Sequence, residues 1–137
     1  MAILALIDCY VEINAVDMSA HVKAVELDIE AVDLDTTDFA SGGWNERISG
    51  LKSGSAKVRF NDDYAATTVD DRIWARFGLV TTLNVRPTAA AASATNPEYQ
   101  MSVLVNQFRP VGGTVGDLAV KDLTWPITGA ITRDVGA

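Results

Sequence analysis

The stretch from Asn96 to Gly129, NPEYQMSVLVNQFRPVGGTVGDLAVKDLTWPITG, constrains the fold of this chain more than any other. Tyr99, Met101, Val103 and Val105 fall on alternate positions, the period of a pleated strand with one face buried and one in water. Pro110 cannot donate to a ladder, and Gly112, Gly113 and Gly116 permit a reversal. Leu118, Val120, Leu123 and Trp125 then carry a second apolar run. The pattern predicts two half-buried strands joined by a glycine-punctuated loop, with the Trp125-Pro126 step stopping the second strand. It is architectural and resembles no reaction centre.

Similar alternation recurs along the chain. Ile3, Ala5, Ile7, Cys9, Val11 and Ile13 oppose Asp8, Tyr10, Glu12 and Asn14, which predicts a first strand over Ile3–Asn14. Val25, Leu27 and Ile29 alternate with Glu26, Asp28 and Glu30, which predicts a second strand over Val25–Leu34 in a hairpin with the first. Val32 and Leu34 are out of phase with Ile29, so a bulge or an end to pairing is expected near Ala31. Two strands over Asn45–Leu51 and Ala56–Phe60 follow, joined by a tight KSGS connection, and a further strand spans Leu79–Arg86. The one helix expected runs from Val69 to Phe77. Val69, Ile73 and Phe77 form its core face, Thr68 and Asp71 resemble a capping box, and Gly78 can end it. Ala89–Ala94 reads as a loop and the last eight residues, AITRDVGA, as a short tail. The fold class is mainly β, an antiparallel β-sandwich or barrel with one short flanking α-helix, in a single domain over residues 1–137.

A chain of 137 residues can bury about two-thirds of its unfolded surface without a staple. No apolar run approaches the roughly 20 residues of a membrane helix, and the MAILALIDCY opening makes a poor signal peptide, so synthesis in the cytoplasm is expected. The lone Cys9 excludes an internal disulfide and reads as a buried, inert thiol, while His21 reads as a solvated or locally bonded side chain. GGTVGD lacks the ending of a phosphate loop, and neither Asp62-Asp63 nor Asp70-Asp71 has the alternating ligands of a calcium loop. With one histidine and no partner near it, a hydrolytic triad is not expected. The chain reads as a non-enzyme with no catalytic residue, cofactor or metal.

The net charge is −7, and nine carboxylates but one lysine lie between Asp8 and Asp38. Such a face repels nucleic acid, which argues against a DNA-binding module; it reads either as the solvated outer faces of two strands or as a wall that DNA passes without sticking. The loop formed by Asp35, Thr36, Thr37, Asp38, Phe39, Ser41, Gly42 and Gly43, with Trp44 after it, combines turn chemistry with two large aromatics. These must cover something, in this domain or in a neighbour.

The order of elements, with Gly43-Trp44-Asn45-Glu46 entering a strand, the Val69–Phe77 helix, Asn96-Pro97-Glu98-Tyr99, the Gly112–Asp117 run GGTVGD and the Trp125-Pro126-Ile127-Thr128-Gly129 ending, resembles the major tail tube proteins of long-tailed bacteriophages. They share a fold with the tubes of contractile injection systems. The resemblance implies hexameric rings stacked into a hollow tube in the virion tail, with strands of each subunit joining into a barrel that lines the lumen. Loops would bridge the rings, other tail proteins would cap the tube, and the genome would pass through without specific binding. On that reading Glu26, Asp28 and Glu30 face the lumen, and the Asp35–Trp44 loop reaches a neighbouring subunit. No C-terminal decoration domain and no long N-terminal arm are apparent. Other readings are a capsid decoration protein, a tail terminator that stays a single ring, or a soluble ligand-binding β-barrel with an apolar cavity.

Overall fold

A computed structural model describes residues 3–136. In chain order the strands are β1 (Tyr10–Ile13), β2 (Val16–Asp17), β3 (Val22–Asp35), β4 (Arg47–Asn61), β5 (Val80–Arg86), β6 (Glu98–Leu104) and β7 (Val120–Asp134). One helix, α1 (Val69–Arg76), lies between β4 and β5, and a 3-10 turn spans Phe39–Ser41. The fold is mainly β, with all neighbouring strands antiparallel in the order β2-β1-β5-β6-β7-β4-β3.

This continuous sheet folds over on itself because β7 changes partner along its length. Val120–Pro126 pairs with β4, and Ile127–Asp134 pairs with β6. Pro126 has no N–H to give to a ladder, so it sits where one pairing ends and the other begins. Two residues later Gly129 adopts φ 81°, a left-handed conformation that suits glycine, where the register against β6 shifts. Val11 of β1, Leu83 and Val85 of β5, Met101 and Val103 of β6, Leu123 and Trp125 of β7 and Val58 and Phe60 of β4 thereby meet in one core, closed by Val69 and Ile73 of α1. Trp125 is wholly buried, and its indole N–H donates to the Gln107 carbonyl at 3.0 Å. The two ends of the sheet approach each other across an open groove lined by Cys9, Val11, Val22 and Val25, so the architecture is a sandwich close to an open barrel.

Several expectations from the sequence are corrected. The first strand is confined to Tyr10–Ile13, and Ile3, Leu4, Leu6 and Ile7 before it are exposed. β1 does not pair with the Val25–Leu34 segment. It turns back through Asn14 and Ala15, both at positive φ, onto β2 and lies against β5. The Val25–Leu34 segment pairs with β4, and the bulge lies where expected, between Ala31 and Asp33. The KSGS connection is no turn, because β4 runs through it. Gly54 leaves the space that the Ile127 Cδ1 atom fills, 3.1 Å from where a Cβ would stand. The Trp125-Pro126 step does not stop its strand, and most of the supposed tail belongs to β7. Thr68 makes no capping-box bond. Its hydroxyl donates to the Ala65 carbonyl, and Asp71 accepts from the Thr67 amide instead. α1 ends at Arg76, Gly78 follows at φ 82°, and Phe77 is 47% exposed, so of the expected core face only Val69 and Ile73 are buried.

Candidate functional site

Strands β3 and β4 are longer than the core they cover. Val25↔Val58 and Leu27↔Ala56 bring apolar side chains to the core face, and Ile29↔Gly54 is the last such pair. Beyond it the hairpin continues as an arm from Ile29 to Asp35 and back, roughly 20 Å at the rise of a strand. The arm leaves Ile29, Val32, Leu34, Ile48 and Leu51 exposed. At its tip the Asp38 carboxylate accepts from the Ala40 amide, and the Asp38 N–H donates to Ser41 Oγ, a reciprocal cap on the 3-10 turn. The Thr36 amide donates to the Glu46 carbonyl at 2.8 Å, and hydrogen bonds from Thr37 hold the Asp35 carboxyl below its ordinary range. The tip is therefore held by its own polar groups, while Phe39 and Trp44 stand in solvent. Asp35, Thr36, Thr37, Asp38, Phe39, Ser41, Gly42, Gly43 and Trp44 are brought together at one end of the molecule.

The face of the hairpin turned away from the core is polar near the body. Glu26, Asp28 and Glu30 lie on it, all exposed, opposite Lys57, Ser55 and Ser53. Arg59 and Asp122 are paired on the same face, so four carboxylates meet two cations, with the excess acid toward the arm.

At the other end, Trp74, Phe77 and Phe108 form an aromatic cluster with ring centroids 5.8–6.4 Å apart. Trp74 is 63% exposed, and Leu79 and Val80 extend the apolar surface. Beside it lies a constellation built on a lysine of the buried face of β7. Lys121 is wholly buried, and its Nζ donates to Asp62 Oδ2 and to the carbonyls of Arg109 and Pro110, each at 2.9 Å, with Asp70 Oδ1 at 3.4 Å. The Tyr64 hydroxyl shares its proton between Asp62 Oδ2 and the Pro110 carbonyl, both at 2.8 Å. The bond to Asp62 pushes Tyr64 up to about 12. The cation held by the Asp62 and Asp70 carboxylates is thus the chain's own ammonium, which ties the loop after β6 to the start of α1. His21 Nδ1 lies 3.7 Å from Asp63. The Cys9 thiol donates to the Arg86 carbonyl, and burial pushes its pKa up.

No protein-family model matches the chain, and no curated protein matches it by sequence. Solved structures do match. A chain of the virion of a native gene transfer agent particle superposes with a TM-score of 0.74 at 20% identity, covering 93% of this chain and 95% of that one. A chain from the tail of an empty gene transfer agent particle, with C6 symmetry, superposes with a TM-score of 0.65 at 19% identity, covering 83% and 82%. The chain therefore shares its fold with chains of these phage-like virion and tail particles. The sequence did carry a signal for the Lys121 clamp: residue 121 is in phase with Leu123 and Trp125, so alternation places a lysine on the buried face, where it needs carboxylate or carbonyl partners.

Proposed function

We infer that this chain is the repeating subunit of a phage-like tail tube, a structural protein without catalytic activity. Hexameric rings stack into a hollow tube, the genome passes through the lumen, and other tail proteins close the ends. The observation that carries this reading is the β3–β4 arm, which exposes large apolar side chains beyond the core on a fold shared with a chain of a C6-symmetric tail. β3 and β2 are the terminal strands of the sheet, and β3 offers a free edge 14 residues long. A free edge of that length invites association, and ring closure removes it. Glu26, Asp28 and Glu30 face the lumen, where like charge keeps the phosphates moving. The Asp35–Trp44 tip reaches a neighbouring subunit, where Phe39 and Trp44 leave water.

Electron microscopy of the purified protein at high concentration tests this reading. Stacked rings or hollow tubes are the expected result. Single rings or trimers that never stack would favour a terminator or decoration protein, and dispersed monomers that bind an apolar probe would favour a ligand-binding barrel.

A further inference from the structure

Lys121 and Asp62 are 59 positions apart in the chain and lie side by side where β4 ends. Phe60 is paired with Lys121 across the β4–β7 ladder, and the Asp62 amide donates to the Ala119 carbonyl. Both side chains are wholly buried, with Nζ 2.9 Å from Asp62 Oδ2. The carbonyls of Arg109 and Pro110 fix Nζ from two further directions. Asp62 Oδ1, by contrast, is buried with no hydrogen-bond partner among the described residues. An ion pair kept for stability alone would satisfy both carboxylate oxygens, because an unpaired buried oxygen costs free energy. The rings of Phe108 and Tyr64, centred 5.0 and 5.1 Å from Nζ, wall the site.

We propose that Lys121 and Asp62 condense into an intramolecular amide that joins β7 covalently to the end of β4. Each part of the reaction has a group in place. In a site closed to water a neutral amine and a neutral acid are cheaper to hold than two charges, so one proton passes from the ammonium to the unpartnered Asp62 Oδ1. The two N–H groups left on Nζ stay on the Arg109 and Pro110 carbonyls, which turns the nitrogen lone pair toward the Asp62 carboxyl carbon. The Tyr64 hydroxyl, 2.8 Å from Oδ2, donates to the oxygen on which negative charge develops as Nζ adds. Asp70 Oδ1, 3.4 Å from Nζ, takes a second proton from the adding nitrogen and returns it to Asp62 Oδ1. The bond from the carboxyl carbon to Oδ1 then breaks, and that oxygen leaves as water with two of the three ammonium protons. The third proton remains on the amide nitrogen, and no further reactant is needed.

Contact is what makes this condensation feasible. Amines and carboxylic acids do not join freely in water, but groups held together in a fixed orientation react as if at about 10⁵–10⁸ M. Asp70 stands in the first turn of α1, so the site is complete only once the helix has docked and the chain has folded. Its side chain is 33% exposed, which gives the released water and the exchanging proton a way out. The bond would enclose α1, β5 and β6 in one covalent loop. It is a property of the single subunit and does not rest on the tube reading.

Intact-mass spectrometry of the parent chain, purified in its folded state and held at neutral pH, tests the bond. The mass should be lower than that of the sequence by one water. Tryptic digestion should recover the Asp62 and Lys121 peptides joined, with no cleavage after Lys121. Lys121→Arg, which keeps the cation but cannot form this amide, should show its full sequence mass. Asp70→Asn should fold, by circular dichroism, and join far more slowly than the parent. A parent chain at its full sequence mass overturns the proposal and leaves an ordinary buried ion pair. So does a loss of water that fragmentation places within one linear peptide while Lys121 is cleaved normally. Asp70→Asn chains that join as fast as the parent overturn the role given to Asp70. The parent measurement decides the bond whether or not either variant folds.

Discussion

At the scale of single residues, Lys121 is the most consequential side chain, a lysine that alternation places on the core face with Leu123 and Trp125. Its ammonium is buried among Asp62, Asp70 and two carbonyls, so truncating it leaves a buried carboxylate and two acceptors without a donor. Lys121→Ala should cost about 3–5 kcal/mol in chemical denaturation. Lys121→Ala with Asp62→Ala should cost less than the sum of the two single changes, as groups acting in one network do. Tyr64 and Tyr10 give a pH signature. Hydrogen bonds to Asp62 and Glu12 push them both up to about 12, against about 10 for a free tyrosine. For a group whose pKa rises on folding, the stabilisation is complete below pH 10 and disappears as pH rises toward 12. Ultraviolet titration of the folded protein should therefore show both phenols ionising about two pH units late, and Glu12→Gln should bring only Tyr10 back toward 10.

At the scale of elements, α1 shows how a periodic pattern can be right in kind and wrong at its end. Val69 and Ile73 face the core, but the helix stops one residue short of Phe77, whose extended backbone (ψ 128°) turns the ring out to Trp74 and Phe108. Ile73→Ala should lower stability by about 2–5 kcal/mol. Phe77→Ala should cost clearly less in the monomer, because its ring is already half in water, and any larger effect should appear in assembly. Comparing melting and tube growth for the two variants separates the roles. β4 teaches the complementary lesson. Gly54, in KSGS, reads as a turn residue, yet it lies within a strand where the Asp28 carbonyl and the Ile127 side chain leave no room for a Cβ, as Val32 and Leu34 crowd Gly50. Local sequence cannot distinguish a glycine kept for its φ from one kept for its missing side chain.

At the scale of the whole molecule, the acidic stripe is the feature with a functional test. Replacing Glu26, Asp28 and Glu30 together by lysine should leave the fold intact, since all three are exposed. Glu26 lies opposite Lys57, so the reversal there adds a like-charge pair worth up to about 1 kcal/mol. Tubes of the lysine variant should retain DNA at low salt and release it as salt screens the charge. Equal retention by the parent would remove the lumen assignment.

The sequence alone determined the class of this protein: strand periodicity made it β, the Val69–Ile73 spacing made one helix, and the phase change near Ala31 marked the bulge. These are local properties, set by which side of a two-residue or 3.6-residue period a side chain occupies. Tertiary structure decided what local patterns leave open. It set which strands pair, let β7 serve two partners, buried Lys121 among carboxylates distant in the chain, and left the arm's apolar face without a core. Each of these depends on contacts between residues far apart in sequence, and alternation specifies a face for burial without naming what will bury it.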